Sequence, residues 1–216
     1  MTAAITLYFA PLSCSLATRI ALYEAGAAAR FAQVDLKTKR VLDDGADYFG
    51  VTPMGQVPAL QVEKYGLLTE NTAVLQFVAE RFPEAQLAPR TADERARMQQ
   101  WLGFIGTELH KAVFVPLLDD KASDAVKQYS RAKLQLRMET LQAHLRDREF
   151  LLDEFSIADA YLATILNWAG ATQVDLKQWP EVYDYHQRML KRPSIAKATG
   201  EEFDLYKEEV ARRKRA

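Results

Sequence analysis

Apolar residues in the first eighty positions alternate between two spacings. Ile5, Thr6, Leu7, Tyr8 and Phe9 form a short β-rich run that stops at Pro11, which predicts a strand. Across residues 13–25 the apolar positions fall at helical spacing (Ala17, Ile20, Ala21), and Gly26 supplies the stop. Residues 31–34 predict a second strand, and the polar stretch 37–47 predicts a weak helix or an irregular segment. Residues 57–62 and 67–69 predict two strands joined hairpin-fashion through Glu63, Lys64, Tyr65 and Gly66. Val74, Val78 and Phe82, four apart with Leu75 beside them, predict a helix over 69–82. The order is βαβα followed by ββα.

Residues 83–90 hold two prolines and no periodic pattern, which predicts a linker over 83–91. Beyond it only helical spacing is found. Thr91 and Glu94 form a capping-box pattern ahead of a stripe of Trp101, Ile105 and Leu109. Leu134, Met138, Leu141 and Leu145 mark the next helix, and Ser156 with Asp159 makes a second capping box. The helix that this box opens, over 160–169, is apolar nearly all round and so is expected to be fully buried. Residues 179–190 and 194 onward complete the chain, and Pro116 is expected to bend or end the fourth helix. The expectation is an α/β domain over 1–82 and an all-α domain over 92–216.

Composition narrows the function classes. The chain has 216 residues, 49% hydrophobic and 26% charged, with a net charge of −1, so bulk attraction to nucleic acid is not expected. No run approaches the roughly 18 apolar residues of a membrane span, and no basic region precedes a long apolar stretch at the start, so a cytoplasmic protein without a secretory leader is expected. A single cysteine, Cys14, excludes an intramolecular disulfide and a cysteine-rich zinc site, and no metal is expected. The cluster Arg212, Arg213, Lys214 and Arg215 reads as a solvated, frayed terminus.

Three segments carry candidate chemistry. Cys14 follows a strand and sits at the first turn of a helix, where free N–H groups and the helix dipole stabilise a thiolate. The alternative for such a residue is an inert buried cysteine. Position 17 is alanine, so disulfide chemistry there would take its second sulfur from outside the chain. Pro58 opens an apolar strand run, which restricts it to an edge or a bend. A cis Val57–Pro58 bond would turn the N–H and C=O of Val57 outward to pair with an extended peptide, and a trans edge proline is the ordinary alternative. Thr69, Glu70 and Asn71 open the third helix, whose free N–H groups suit a carboxylate, or simply make a well-capped helix.

In order and spacing these segments resemble the bacterial, cysteine-containing beta class of glutathione transferases. The resemblance rests on Ser13-Cys14-Ser15-Leu16-Ala17, Gly55-Gln56-Val57-Pro58-Ala59-Leu60, Leu68-Thr69-Glu70, Thr107-Glu108-Leu109-His110-Lys111 and Phe155-Ser156-Ile157-Ala158-Asp159-Ala160-Tyr161, with the short segment 44–49. It runs through nearly the whole chain. It implies a thioredoxin-like N-terminal domain, an all-helical C-terminal domain and a homodimer. It implies an enzyme that joins glutathione, as co-substrate and without a further cofactor, to hydrophobic electrophiles. Cys14-dependent thiol–disulfide exchange or peroxide reduction is a second reading, and a non-catalytic binder of glutathione or apolar ligands a third.

Residue by residue, the resemblance implies that Val57 pairs with the cysteinyl backbone of glutathione beside a cis Pro58. It implies that Glu70 and Asn71 hold the γ-glutamyl end and that Lys39 faces the glycyl carboxylate. Cys14 and Ser15 would lie at the sulfur, with His110 and Lys111 reaching over from the helical domain, and Phe9, Leu12, Phe114 and Trp168 are apolar candidates for the acceptor. Two positions depart from the family pattern. Asn71 stands where Ser or Gly is usual after the glutamate, and Gly103 stands where relatives often carry Asn. A shifted γ-glutamyl geometry and weaker glutathione binding are the expected consequences.

Overall fold

A computed structural model of the chain describes residues 4–215. By backbone proximity the chain divides into two compact units, Met1–Leu87 with Pro193–Ala216, and Ala88–Arg192.

The first unit is built on a five-stranded sheet in the order β3-β2-β1-β4-β5. Its strands are β1 (Ile5–Phe9), β2 (Arg30–Asp35), β3 (Arg40–Val41), β4 (Ala59–Val62) and β5 (Gly66–Thr69). β1 and β2 pair in parallel through the crossover helix α1 (Leu16–Glu24), and the remaining pairings are antiparallel. This is the thioredoxin-like arrangement, βαβ then ββα, closed by α2 (Asn71–Arg81). Leu16, Ala17, Ile20, Ala21 and Leu22 of α1 are fully buried. A core of Ala32, Val34, Val41, Tyr48, Val57 and Ala59 has Tyr8 packed against it. The segment 37–47 is not a helix: Arg40 and Val41 pair with Asp35 and Val34, because a polar stretch beside an open strand edge gains more from ladder hydrogen bonds than from an unsupported helix.

The last helix, α8 (Pro193–Arg215), groups with this sheet, whereas the sequence pattern placed it with the helical residues 92–216. Ile195, Ala198 and Glu202 are buried at helical spacing. Ser194 Oγ bonds Glu24, Tyr23 donates to Glu201, and Arg19 faces Glu202, all between α8 and α1. Its basic end is helical rather than frayed. Arg212, Arg213 and Lys214 are exposed, and Arg213 pairs with Glu209 one turn back.

The second unit is helical throughout its regular structure. α3 (Ala92–Phe104) is capped by Thr91, whose side chain accepts from Glu94 N–H at 3.3 Å. Residues Ile105–Phe114 wind as a π-helix, and α4 (Val115–Leu118) follows. The chain therefore stays helical past Pro116. The N–H of Val115 bonds the carbonyl of His110 five residues back, and Pro116 falls in the first turn of α4, where its missing N–H is not needed. α5 (Asp124–Leu145), α6 (Ile157–Leu166) and α7 (Pro180–Lys191) complete the unit. Every residue of α6 is buried, as its apolar circumference predicts. The Ser156–Asp159 capping box is complete in both directions.

Candidate functional site

The loop between β1 and α1 is tied down by its own polar groups. Pro11 has no N–H, and the backbone N–H of Ser13 donates to Ala10 O at 3.1 Å. Ser15 is fully buried, with its hydroxyl 2.7 Å from Ser13 Oγ and within 3.3 Å of the Ala10 N–H. The Ser15 hydroxyl thus closes the loop from inside, and Ser13, which sequence reasoning left without a role, shares it. α1 itself begins at Leu16, so Cys14 stands just ahead of the helix, in a turn where Leu16 N–H bonds Ser13 O and Ala17 N–H bonds Cys14 O. The thiol is half-buried and donates to Val57 O at 3.3 Å, which joins the cysteine and the proline loop into one site.

The Val57–Pro58 bond is cis, the geometry implied by the resemblance. Among the described residues the Val57 N–H has no hydrogen-bond partner. The loop ahead of it is held from two sides. Tyr48 donates its hydroxyl to Gln56 O at 2.9 Å, and Lys39 Nζ donates to Gly55 O at 2.8 Å. Gly55 has φ +56, and a Cβ there would stand 2.8 Å from the Phe49 ring, so the position favours glycine on both counts. Burial pushes the Tyr48 phenol above its ordinary pKa, which keeps it a neutral donor.

Glu70 has φ +67 and is exposed at the start of α2. Asn71 beside it is buried. Its Oδ1 accepts from Thr18 Oγ1 at 3.2 Å, and its Nδ2 is buried without a hydrogen bond. A buried amide donor left open at a helix N-terminus is suited to a carboxylate ligand. Asn71 therefore keeps a donor at this position.

The other predicted residues lie in different settings. Phe9 is 2% exposed and stacks under the Arg19 guanidinium, 4.3 Å from its ring centroid, so it is built into the sheet core. Leu12 is half-buried with φ +57. In the helical unit His110 is buried, with Nδ1 2.7 Å from the Tyr161 hydroxyl and its ring 5.0 Å from that of Trp168. Burial, with a smaller contribution from Lys111, lowers its pKa to about 4, so the imidazole is neutral at physiological pH. Lys111 is exposed, Phe114 is fully buried against Trp168, and Gly103 faces open space. The structure thus gathers Cys14, Ser15, Val57 and Pro58 around one loop, with Lys39 supporting it.

Sequence reasoning missed Tyr48, Thr18 and Tyr161 as supports. Tyr48 and Tyr161 lie inside segments that carried the family resemblance, whereas nothing local distinguishes Thr18. Among the described residues no group of three His, Cys, Asp or Glu could hold a metal, and no helix is long and apolar enough to cross a membrane.

Comparison with known proteins gives the same family for both units. Residues 3–80 match the family model described as glutathione S-transferase, N-terminal domain, and residues 107–193 match glutathione S-transferase, C-terminal domain. The chain is 39% identical over 198 residues to glutathione S-transferase GstA of Escherichia coli O157:H7, covering 91% of this chain and 98% of that protein. Among solved structures it is similar to BphK, a bacterial glutathione S-transferase solved as a ternary complex. That likeness has a TM-score of 0.88 and 40% identity, with 91% of this chain and 98% of that one covered. It is also similar to the beta-class glutathione S-transferase of Sphingomonas chungbukensis, with a TM-score of 0.86, 40% identity and the same coverage.

Proposed function

Because the chain belongs to the glutathione S-transferase family and to its bacterial beta class, we propose that glutathione lies extended along the backbone at Val57 with its sulfur beside Cys14. The protein is a glutathione transferase, an enzyme that uses glutathione as co-substrate, rather than a passive carrier. The observation that carries the site is the open N–H of Val57 next to a carbonyl already held by the Cys14 thiol. A tripeptide paired there as an added strand brings its cysteinyl side chain to the start of α1.

The two ends of the ligand follow from charge. The γ-glutamyl carboxylate meets the N-terminus of α2 and the open Asn71 amide, and its ammonium meets Glu70. Lys39 takes the glycyl carboxylate. Lowering a thiol pKa from about 8.5 by two units is worth about 2.7 kcal/mol, which donors fixed in advance can supply. His110, as a neutral hydrogen-bond donor, and Lys111, as a cation, are assigned to this stabilisation on the family pattern, while the buried Ser15 hydroxyl acts by shaping the Cys14 loop. Leu12 and Trp168 are assigned to recognition of a hydrophobic electrophile on the same ground. Phe9, sealed under Arg19, and Phe114, fully buried against Trp168, contribute through the core. The working form is a homodimer in the cytoplasm, and its two domains divide near residues 83–91.

The half-buried, single cysteine favours a second activity at the same site. Its thiolate displaces one sulfur of a disulfide, leaving a mixed disulfide that a glutathione thiolate then resolves. Cys14→Ser separates the two reactions. Disulfide reduction is abolished, while conjugation to a panel of aromatic electrophiles stays within an order of magnitude of the parent enzyme. Equal loss of both activities would refute this division, and an empty Val57 groove in a crystal soaked with millimolar glutathione would refute the binding mode.

A further inference from the structure

The loop carrying Cys14 is anchored by a group from the far end of the chain. The backbone N–H of Leu12 donates to Glu202 Oε2 at 2.7 Å, across 190 positions of sequence. Leu12 holds φ +57, an arrangement unfavourable for a bulky non-glycine residue that persists only where surrounding contacts enforce it. Pro11 donates nothing, and the neighbouring amides of Ala10 and Ser13 are turned into the loop, so the Leu12 amide is the one that reaches across to α8.

Glu202 is itself held rigidly. It is fully buried, and its Oε1 lies 3.5 Å from Arg19 Nη1. The Arg19 guanidinium is sandwiched between Phe9 and Phe31 at 4.3 and 4.2 Å. The second carboxylate near Arg19, Glu201 at 3.9 Å, accepts from Tyr23. As a stabilising ion pair the arrangement is poor: Glu202 Oε1 and Arg19 Nε and Nη1 are buried without hydrogen bonds. The short bond that Glu202 does make goes to the thiol loop. Burial pushes the carboxyl up to about 8, opposed by Arg19 and the Leu12 amide. Neutral or ionised, an oxygen of this group accepts from that amide.

We propose that Glu202 is a positioning residue for the reacting sulfur: through the Leu12 amide, α8 fixes the loop that sets Cys14 at the start of α1 and against Val57. The proposal deepens the reading of the Cys14 site given above. Its test uses the chemistry of Cys14 itself, so it stays readable even if glutathione binds elsewhere.

The experiment is the pH profile of iodoacetamide alkylation of the single cysteine in the 216-residue chain, at a temperature well below the melting of the least stable variant. Glu202→Ala slows alkylation at neutral pH by about five- to tenfold and moves the profile to higher pH, as expected for loss of one hydrogen bond that holds the thiol in place. Glu202→Gln, which keeps a carbonyl acceptor without the charge, remains within about twofold of the parent. A lower melting temperature with an unchanged alkylation profile in Glu202→Ala would show a merely structural role and overturn the proposal. Equal slowing in the Gln variant would also overturn it, since charge and not the acceptor would then matter. Should the alanine variant not fold, Glu202→Asp, whose carboxylate falls short of the Leu12 amide, replaces it with the same expected and opposing results.

Discussion

Asp159 in the helical unit and Glu202 in the N-terminal unit are both fully buried carboxylates, yet their surroundings differ in kind. Asp159 accepts from four donors at 2.9–3.0 Å: the N–H groups of Leu151 and Ser156, the Ser156 hydroxyl and the Tyr185 hydroxyl. Two of its partners lie three residues away in the capping box. Glu202 accepts the Leu12 amide, and its other oxygen only faces Arg19. Burial raises the pKa of both acids, while donors aimed at Asp159 work against it. A carboxylate surrounded by neutral donors is a fixed joint of the fold. On the proposal above, one with a single donor on the Cys14 loop serves geometry at that loop more than it serves stability.

The sharpest break of this comparison is removal of each group in turn. Asp159→Ala strands several buried donors and is expected to lower the unfolding free energy by about 4 kcal/mol in urea titrations. Glu202→Gln, which retains its acceptor, should cost about 1 kcal/mol or less. If the Gln variant lost as much as Asp159→Ala, the two sites would not differ as described.

Next in size is pH. Burial lowers His110 and His186 to about 4, below the 6.5 of the unfolded chain, so below pH 6.5 the unfolded state binds more protons. Their contribution is complete above that pH and is lost towards pH 4, by about 3 kcal/mol for each ring. Glu202 runs the other way. Its pKa is raised from 4.5 to about 8, so its contribution is complete below pH 4.5 and is lost as the pH rises through 8. Unfolding curves at about pH 5 and pH 8 should therefore show Glu202→Gln gaining relative to the parent as pH rises. A pH-independent difference would contradict the buried environment assigned to this carboxyl.

Smaller effects sharpen the contrast between local and distant support. Gly55→Ala must place a side chain at φ +56 against Phe49, whose ring is half exposed and can yield, so about 1–2 kcal/mol is expected by thermal unfolding. Tyr161→Phe removes the partner of His110 Nδ1 and should lower stability by about 1 kcal/mol while conjugation falls less than tenfold. No His110 titration near pH 6.5 should appear in the pH–rate profile of the parent enzyme, because its ring is already neutral there.

The sequence by itself determined whatever depends on neighbours within a turn or two. The strand and helix spacings, the Ser156–Asp159 capping box, the apolar helix after it and the order of family motifs were all legible, and the fold and the candidates Cys14, Ser15, Val57 and Pro58 followed from them. The two-residue strand inside segment 37–47, otherwise irregular, was not legible because it exists only by pairing with β2, and the π-helical turn that carries the helix past Pro116 to Leu118 leaves no local signature. Tertiary structure alone decided that α8 lies with the sheet, that Arg19 sits between Phe9 and Phe31, and that the Leu12 amide meets Glu202. Hydrogen bonds and ion pairs depend on distances of a few ångströms, and a chain pattern carries no record of which residues will stand that close when 190 positions separate them.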